Sequence, residues 1–263
     1  MKRMTVAWLV AVLALGACAD PGRVVVAAGT TLVDSGIIDE LVSRYESEHP
    51  GVQVSVVGES TAQILELGRR GGAELLITHA PDLEAEFIRE GLAASYEPVM
   101  ESRFVLAGPA EAAALPVAVA AAFREIAGRG DLFVSRSDGS GTYQKELELW
   151  SLADVDPTAK PWYIETGQGM GLTLQVADQR RAFVLSELGA FLAAAPVLSL
   201  ERVGLADDPV LVNPYQIIVV AGSPVESTAA SFAAWLVSAD GAAAIIDANL
   251  DLFGEVVYEP VGT

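Results

Sequence analysis

Eight consecutive residues, Ser135-Arg136-Ser137-Asp138-Gly139-Ser140-Gly141-Thr142, combine the groups that a small anion needs. Leu132, Phe133 and Val134 before them read as the end of a buried strand, and Tyr143-Gln144-Lys145-Glu146-Leu147 after them open a helix. A helix N-terminus leaves four backbone N–H groups unpaired and carries roughly half a positive charge. Gly139 and Gly141 let a ligand approach the backbone, the hydroxyls add donors, and Arg136 adds a planar, permanently charged fork. The chemistry is reception of a small tetrahedral anion. An ordinary Ser/Asp-capped helix start uses the same residue types, so the stretch alone leaves both readings open.

The elements around it repeat one pattern. Val24–Ala28 is a continuous apolar strand, followed by the small-residue turn Ala28-Gly29-Thr30-Thr31. Asp34-Ser35-Gly36 caps a helix whose apolar residues Ile37, Ile38, Leu41, Val42 and Tyr45 keep a 3.6 period. Residues 52–57 are a second strand, Gly58-Glu59-Ser60-Thr61-Ala62 a second polar turn, and 63–69 a helix. Residues 74–78 form a third strand, ending at His79-Ala80-Pro81-Asp82, where Asp82 reads as the N-cap of a helix over 83–89. Such a βαβαβα run predicts a parallel sheet flanked by helices, with ligands beyond the C-terminal ends of the strands. Residues 103–107 read as a crossing strand, 115–128 as an Ala-rich helix, and the Ser135 stretch follows. A second α/β unit then carries a turn at Gly167-Gln168-Gly169-Met170-Gly171, and 210–220 reads as a second crossing strand back to the first unit. The expected division is one lobe of residues 24–107 plus 210–263 and a second of 108–209, with a cleft between them.

Composition narrows the function. The chain has 263 residues, 52% apolar and 19% charged, which suits a globular protein with a real core. Its formal charge of −19 argues against nucleic acid, whose binding is dominated by Lys and Arg on phosphate. An anion would be captured by local dipoles and Arg136, since salt screens distant charge within about 10 Å. Lys2 and Arg3 precede an apolar run from Val6 to Leu15 and then Leu15-Gly16-Ala17-Cys18, the layout of a secretory signal. The single cysteine, Cys18, sits where a bacterial lipoprotein box places its lipidated residue. An exported protein held to the outer face of the cytoplasmic membrane, or in the periplasm, by a lipid anchor is expected.

Two histidines and no Gly-x-Ser-x-Gly elbow give a Ser/His/Asp hydrolase little support, and no catalytic residue is assigned. His49 suits a helix C-terminus, where it meets the negative end of the dipole. His79, Asp82, Glu84 and Glu86 are weighed as a metal cluster, but a capped helix with acids in its first turn uses them more simply. Neither a metal nor a cofactor is expected. Trp150, Trp162 and Trp235 read as core or packing residues.

From Val24 onward the chain resembles the extracytoplasmic tungstate-binding proteins of ABC transporters, within the two-lobed oxyanion-binding proteins. The stretches that carry this are Asp34-Ser35-Gly36-Ile37-Ile38-Asp39, 63–68, His79-Ala80-Pro81, 133–142, the long block 162–174, and Asn213-Pro214-Tyr215. The resemblance implies a type II periplasmic-binding-protein fold and passive capture of the anion between the lobes. It also implies delivery to a permease by a monomer. The ligand residues it implies are Thr30 and Thr31, Ser60 and Thr61, and Arg136, Ser140, Gly141 and Thr142, with Gly169 at a further turn. There are departures. Ala28-Gly29-Thr30-Thr31 stands for the family's Thr-Thr-Thr-Ser, Tyr143 replaces the usual His, and Ser186-Glu187-Leu188-Gly189-Ala190 replaces Asp-Arg-Gly-Thr-Tyr.

Tungstate is the favoured ligand and molybdate the next, with a phosphate- or sulfate-binding protein of the same fold, or an anion sensor without a transport role, as alternatives. Phosphate near neutral pH keeps a proton and accepts a carboxylate partner, whereas a fully deprotonated dianion is repelled. At ~4 Å and an effective dielectric of about 20, one such contact costs on the order of 4 kcal/mol. The expectation is that Asp138 pairs with Arg136 and caps the helix.

Overall fold

Strand Arg23–Gly29 (β1) is buried on both faces, as the central strand of a parallel sheet must be. The computed structural model describes residues 22–112 and 114–262, so Cys18 and the signal segment lie outside the described residues. β1 pairs in parallel with Gln53–Glu59 (β2) and Leu75–Thr78 (β3). The connections are helices Thr30–Ser35 (α1), Ile37–Glu48 (α2) and Thr61–Arg69 (α3). The expected turn at Thr30-Thr31 is therefore the first turn of a short helix. Gly36, at φ 81, ends α1 and starts α2, a left-handed bend that glycine adopts at least cost.

After helix Pro81–Arg89 (α4) comes a 17-residue strand, Ala93–Pro109 (β4). Only its last third was legible as strand, because Glu97, Pro98 and Glu101 interrupt the apolar pattern on its exposed side and two register shifts break the ladder. Helix Val119–Arg129 (α5) starts later than the Ala-rich pattern suggests. Pro116 lacks an N–H and biases Leu115 away from helical backbone. Strand Phe133–Ser135 (β5), helix Gly141–Leu152 (α6), strand Tyr163–Glu165 (β6), helix Met170–Arg180 (α7) and strand Phe183–Glu187 (β7) follow. Helix Leu188–Ala194 (α8) leads to Leu200–Arg202 (β8), then Val212–Val220 (β9), helices Glu226–Leu236 (α9) and Ala239–Phe253 (α10), and Glu259–Pro260 (β10). The short strands β8 and β10 have no readable period.

The strands order as β2-β1-β3-β9-β4-β7-β5-β6, with β8 and β10 both on β4. β4 runs antiparallel to β9 through Arg103 and to β7 from Phe104 onward. It therefore joins a first half of the sheet, containing β1, β2, β3 and β9, to a second half containing β5, β6 and β7. Alternate residues of each strand face opposite helical layers. Val24, Val26 and Ala28 pack with Tyr45, Phe232 and Ile245, while Ala27 packs with Ile64 and Phe87. In the second half, Phe104 and Leu106 join Phe123, Phe133 and Trp150, while Ala107 joins Met170 and Leu174. Trp150 and Trp235 are core residues, as expected, and Trp162 packs at the edge of the Trp150 cluster.

Candidate functional site

Both halves turn helix starts toward one junction. β1 runs directly into α1 at Thr30, β2 ends at Glu59 and Ser60 caps α3, and β5 ends at Ser135 before the turn that opens α6. Arg136 emerges from that turn only 1% exposed. Its Nη2 donates to Thr30 Oγ1 at 2.9 Å, so the guanidinium of the second half reaches a hydroxyl of the first. Nη2 and Nε also donate to Asp138 Oδ2, at 2.6 and 3.1 Å. The other carboxylate oxygen, Oδ1, accepts the Ser140 N–H at 3.1 Å. Asp138 thus pairs with Arg136 as expected, but the cap of α6 is Ser140, whose Oγ accepts the Tyr143 N–H, and Asp138 only holds the N–H of that cap residue. Ser137, at φ 48, and Gly139, at φ 73, supply the left-handed steps that fold the loop back on itself.

The hydroxyls fall into two sets. Thr31 Oγ1 meets the Tyr215 hydroxyl at 3.2 Å, Ser60 donates to Gln63 Oε1 at 2.8 Å, and Ser140 Oγ accepts the Tyr143 N–H at 3.2 Å. Thr61 Oγ1 and Thr142 Oγ1 are buried and have no hydrogen-bond partner among the described residues. A buried hydroxyl left unpaired costs roughly 1–3 kcal/mol, so each would gain from an acceptor placed at its helix start. Both stand in the first turn of a helix, Thr61 on α3 and Thr142 on α6, where the backbone dipole favours an anion. Gly141 is the first residue of α6, and Gly169 precedes α7 without a side-chain cap. Thr166 Oγ1 ties the α7 start to the Ser135 and Arg136 carbonyls at 3.0 and 3.3 Å.

Several residues near the junction escaped the sequence reading. Asp34, read as part of a cap, lies with its carboxylate beside Gly171 at the start of α7, across the boundary between halves. Asp82 is not an N-cap: Ala80 holds that position, and Glu84 Oε1 accepts the Ala80 N–H at 2.8 Å. Glu84 is consequently buried and also accepts from the Tyr96 hydroxyl at 3.0 Å, which takes it out of any metal cluster with His79. His79 pairs with Asn213 Oδ1 at 2.9 Å, and burial lowers its pKa to about 4, assisted by the Arg136 charge. His49 Nδ1 meets the Tyr45 carbonyl at the end of α2, as its position suggests. A cleft of about 490 Å³, lined by His79, Asp82, Phe104, Lys145 and Asn213, opens beside Gly141. Of the sequence-derived ligand residues it includes only Gly141, so the anion reading rests on Arg136 and the hydroxyls.

Residues 17–240 match the model of a family described as the PBP superfamily domain. The chain belongs to the PBP superfamily. This PBP-superfamily chain is 30% identical over 248 residues to the tungstate-binding protein TupA of Peptoclostridium acidaminophilum, covering 91% of this chain and 86% of the relative. Among solved structures it is similar to the tungstate ABC transporter protein from Geobacter sulfurreducens, at 32% identity and TM-score 0.76. That match covers 86% of this chain and 98% of the other. It is also similar to the TupA tungstate binding protein of Desulfovibrio alaskensis G20, at 27% identity and TM-score 0.73, covering 92% and 99%. The mixed α/β fold expected from the sequence, a central sheet flanked by helices, is the fold of these structures.

Replacing Thr61 or Thr142 by Val tests the open hydroxyls with opposite signs in two measurements. Val keeps the shape and removes the unpaired oxygen, so the ligand-free protein should gain about 1 kcal/mol of stability in a denaturant titration. Anion affinity should fall in the same variants. A loss of stability would show that these hydroxyls have partners within the chain.

Proposed function

We propose that this protein captures a tetrahedral oxyanion outside the cytoplasm, tungstate ahead of molybdate, and delivers it to an ABC permease. The observation that carries the reading is the pair of buried, unpaired hydroxyls, Thr61 and Thr142, at helix starts in the two halves that Arg136 ties together. Relatives named for tungstate binding and for ABC transport support both ligand and partner. One jaw runs to residue 103 and resumes at 212, and residues 104–211 form the other, a boundary earlier than the expected 107 because Phe104–Ala107 pair with β7. Thr30, Thr31, Ser60 and Thr61 face Arg136, Ser140, Gly141, Thr142 and Gly169 across the cleft. Contacts to both jaws stabilise the closed form, which a permease recognises. No step of this calls for catalysis. Attachment through a lipid on Cys18, and action as a monomer, complete the proposal.

Asp138 favours the fully deprotonated ligands. Its two oxygens are engaged by Arg136 and the Ser140 N–H, so neither is offered to an acidic proton on phosphate. Thermal shift with tungstate, molybdate, sulfate and phosphate tests the reading. A ligand at 100 times its dissociation constant adds ~2.7 kcal/mol to stability. Tungstate and molybdate should raise the melting temperature most. Silence with all four would end the oxyanion reading, and a response to phosphate alone would replace tungstate by phosphate.

A further inference from the structure

His79 and Gly141 make a contact that neither residue's local structure requires. His79 follows β3 in the first half, and Gly141 is the first residue of α6 in the second. A Cβ built on Gly141 would lie 2.5 Å from His79 Cε1, 2.7 Å from Nε2 and 2.8 Å from Nδ1. The imidazole therefore lies against the bare backbone of the α6 start. Gly141 is not among the residues with positive φ, so its backbone would accept Ala, and the neighbouring ring is what leaves no room for a side chain. A glycine at a helix start also gives up conformational entropy that Ala would not. The ring is held on its other sides. Nδ1 donates to Asn213 Oδ1 at 2.9 Å, Tyr215 stacks on it at 5.0 Å, and Phe104 stacks at 6.4 Å. Nε2 would stand 3.6 Å from a Cβ on Gly29, the residue just before α1. One rigid, uncharged ring thus lies between the last residue before α1 and the first residue of α6.

We propose that His79 is the stop that sets how far the two halves close, with Gly141 as its seat, and so fixes the size of oxyanion the site accepts. The inference rests on the oxyanion reading above and adds to it the element that sets the radius of the site. Arg136 and Thr142 lie within six residues of Gly141, and Thr30 follows Gly29, so any change in the depth of closure moves both sets of ligands. Tungstate and molybdate, with longer metal–oxygen bonds, are larger than sulfate, so a stop of fixed thickness separates them by size where charge does not. His79 acts here as a positioning residue, without touching the anion.

The test uses the whole protein as Gly141→Ala, His79→Ala and the double variant. Gly141→Ala drives a methyl into the ring and should hold the halves apart. Overpacking of that kind is expected to weaken tungstate binding by roughly tenfold or more, measured by calorimetry. Its radius of gyration by X-ray scattering at saturating tungstate should exceed the wild-type value. The double variant has room for the methyl and should recover most of both. His79→Ala alone should narrow the ratio of tungstate to sulfate affinity, since the stop is gone. Wild-type affinity and size in Gly141→Ala would overturn the proposal, as would a double variant no better than Gly141→Ala. Should the wild type bind none of these anions, the oxyanion reading fails. Crystal structures of the wild type and Gly141→Ala in the form where His79 meets residue 141 then decide the stop: an unchanged distance between Gly29 and residue 141 would refute it, and a longer one in Gly141→Ala would support it.

Discussion

Arg136→Ala is expected to leave a folded protein with almost no response to tungstate. The guanidinium is buried and makes three hydrogen bonds, two to Asp138 and one to Thr30 in the other half. Removing one partner of a buried, hydrogen-bonded charge interaction costs roughly 2–5 kcal/mol of binding, a loss of thirtyfold to several thousandfold. Folding should survive, because the Asp138 side chain is 15% exposed and can rehydrate, and its Oδ1 keeps the Ser140 N–H. Arg136→Lys separates charge from geometry. It keeps the positive charge and loses the fork, so one of the two partners, Thr30 or Asp138, is given up. Calorimetry on both variants, with circular dichroism as the folding control, checks the outcome. Wild-type affinity in Arg136→Ala would move the site elsewhere.

The second large effect lies beneath the α6 start. Glu146 is 1% exposed, accepts from the Tyr163 hydroxyl at 2.5 Å and from Trp150 Nε1 at 3.3 Å, and has its pKa raised to about 8, chiefly by burial. The folded protein therefore holds a proton that the unfolded chain, with the ordinary value of 4.5, releases. Below pH 4.5 both states are protonated and the stabilisation is complete. Between pH 4.5 and about 8 it is lost at about 1.4 kcal/mol per pH unit. Glu146→Gln keeps the shape and a neutral group, and should remove this slope. Denaturant titrations of both proteins at pH 5, 6.5 and 8 give the comparison, and parallel profiles would show that Glu146 is already ionised in the folded state. Glu187, buried on Ser102 and Tyr258, is also raised by burial and acts in the same direction, but it is common to both proteins. His79 acts the other way: its neutral ring stabilises above pH 6.5 and loses that contribution as pH falls through about 4.

The sequence made the helix starts at the junction legible because their signals are local. A Gly/Ser turn after an apolar strand is written in adjacent residues, and Asp138 two positions from Arg136 already suggests their pairing. The first three strands and α2 were readable for the same reason, since each carries its period within one short run. What stayed hidden depends on distant partners. Nothing near His79 announces that Gly141 is its neighbour, and nothing near Glu84 announces Tyr96. Thr31 and Thr61 look alike in sequence, yet Tyr215 from β9 occupies one hydroxyl and leaves the other free. β4 was truncated for a different reason, because its polar residues are set by exposure and register shifts in the folded sheet.

The handover along β4 has a mechanical consequence. The strand exchanges its β9 partner for β7 between Arg103 and Phe104, within a single peptide link and without leaving extended backbone. The return crossing, residues 203–211, precedes β9 and is tied to β4: the Val203 N–H donates to the Leu106 carbonyl and Arg103 Nη2 to the Asp208 carbonyl, so the two crossings lie side by side. Crossings tied in this way twist readily about their long axis and resist shear and stretch. Relative motion of the halves is then mainly a torsion, where two untied linkers would leave more freedom. Little rotational freedom remains to be lost when an anion brings the halves together, and more of its contact energy survives as affinity.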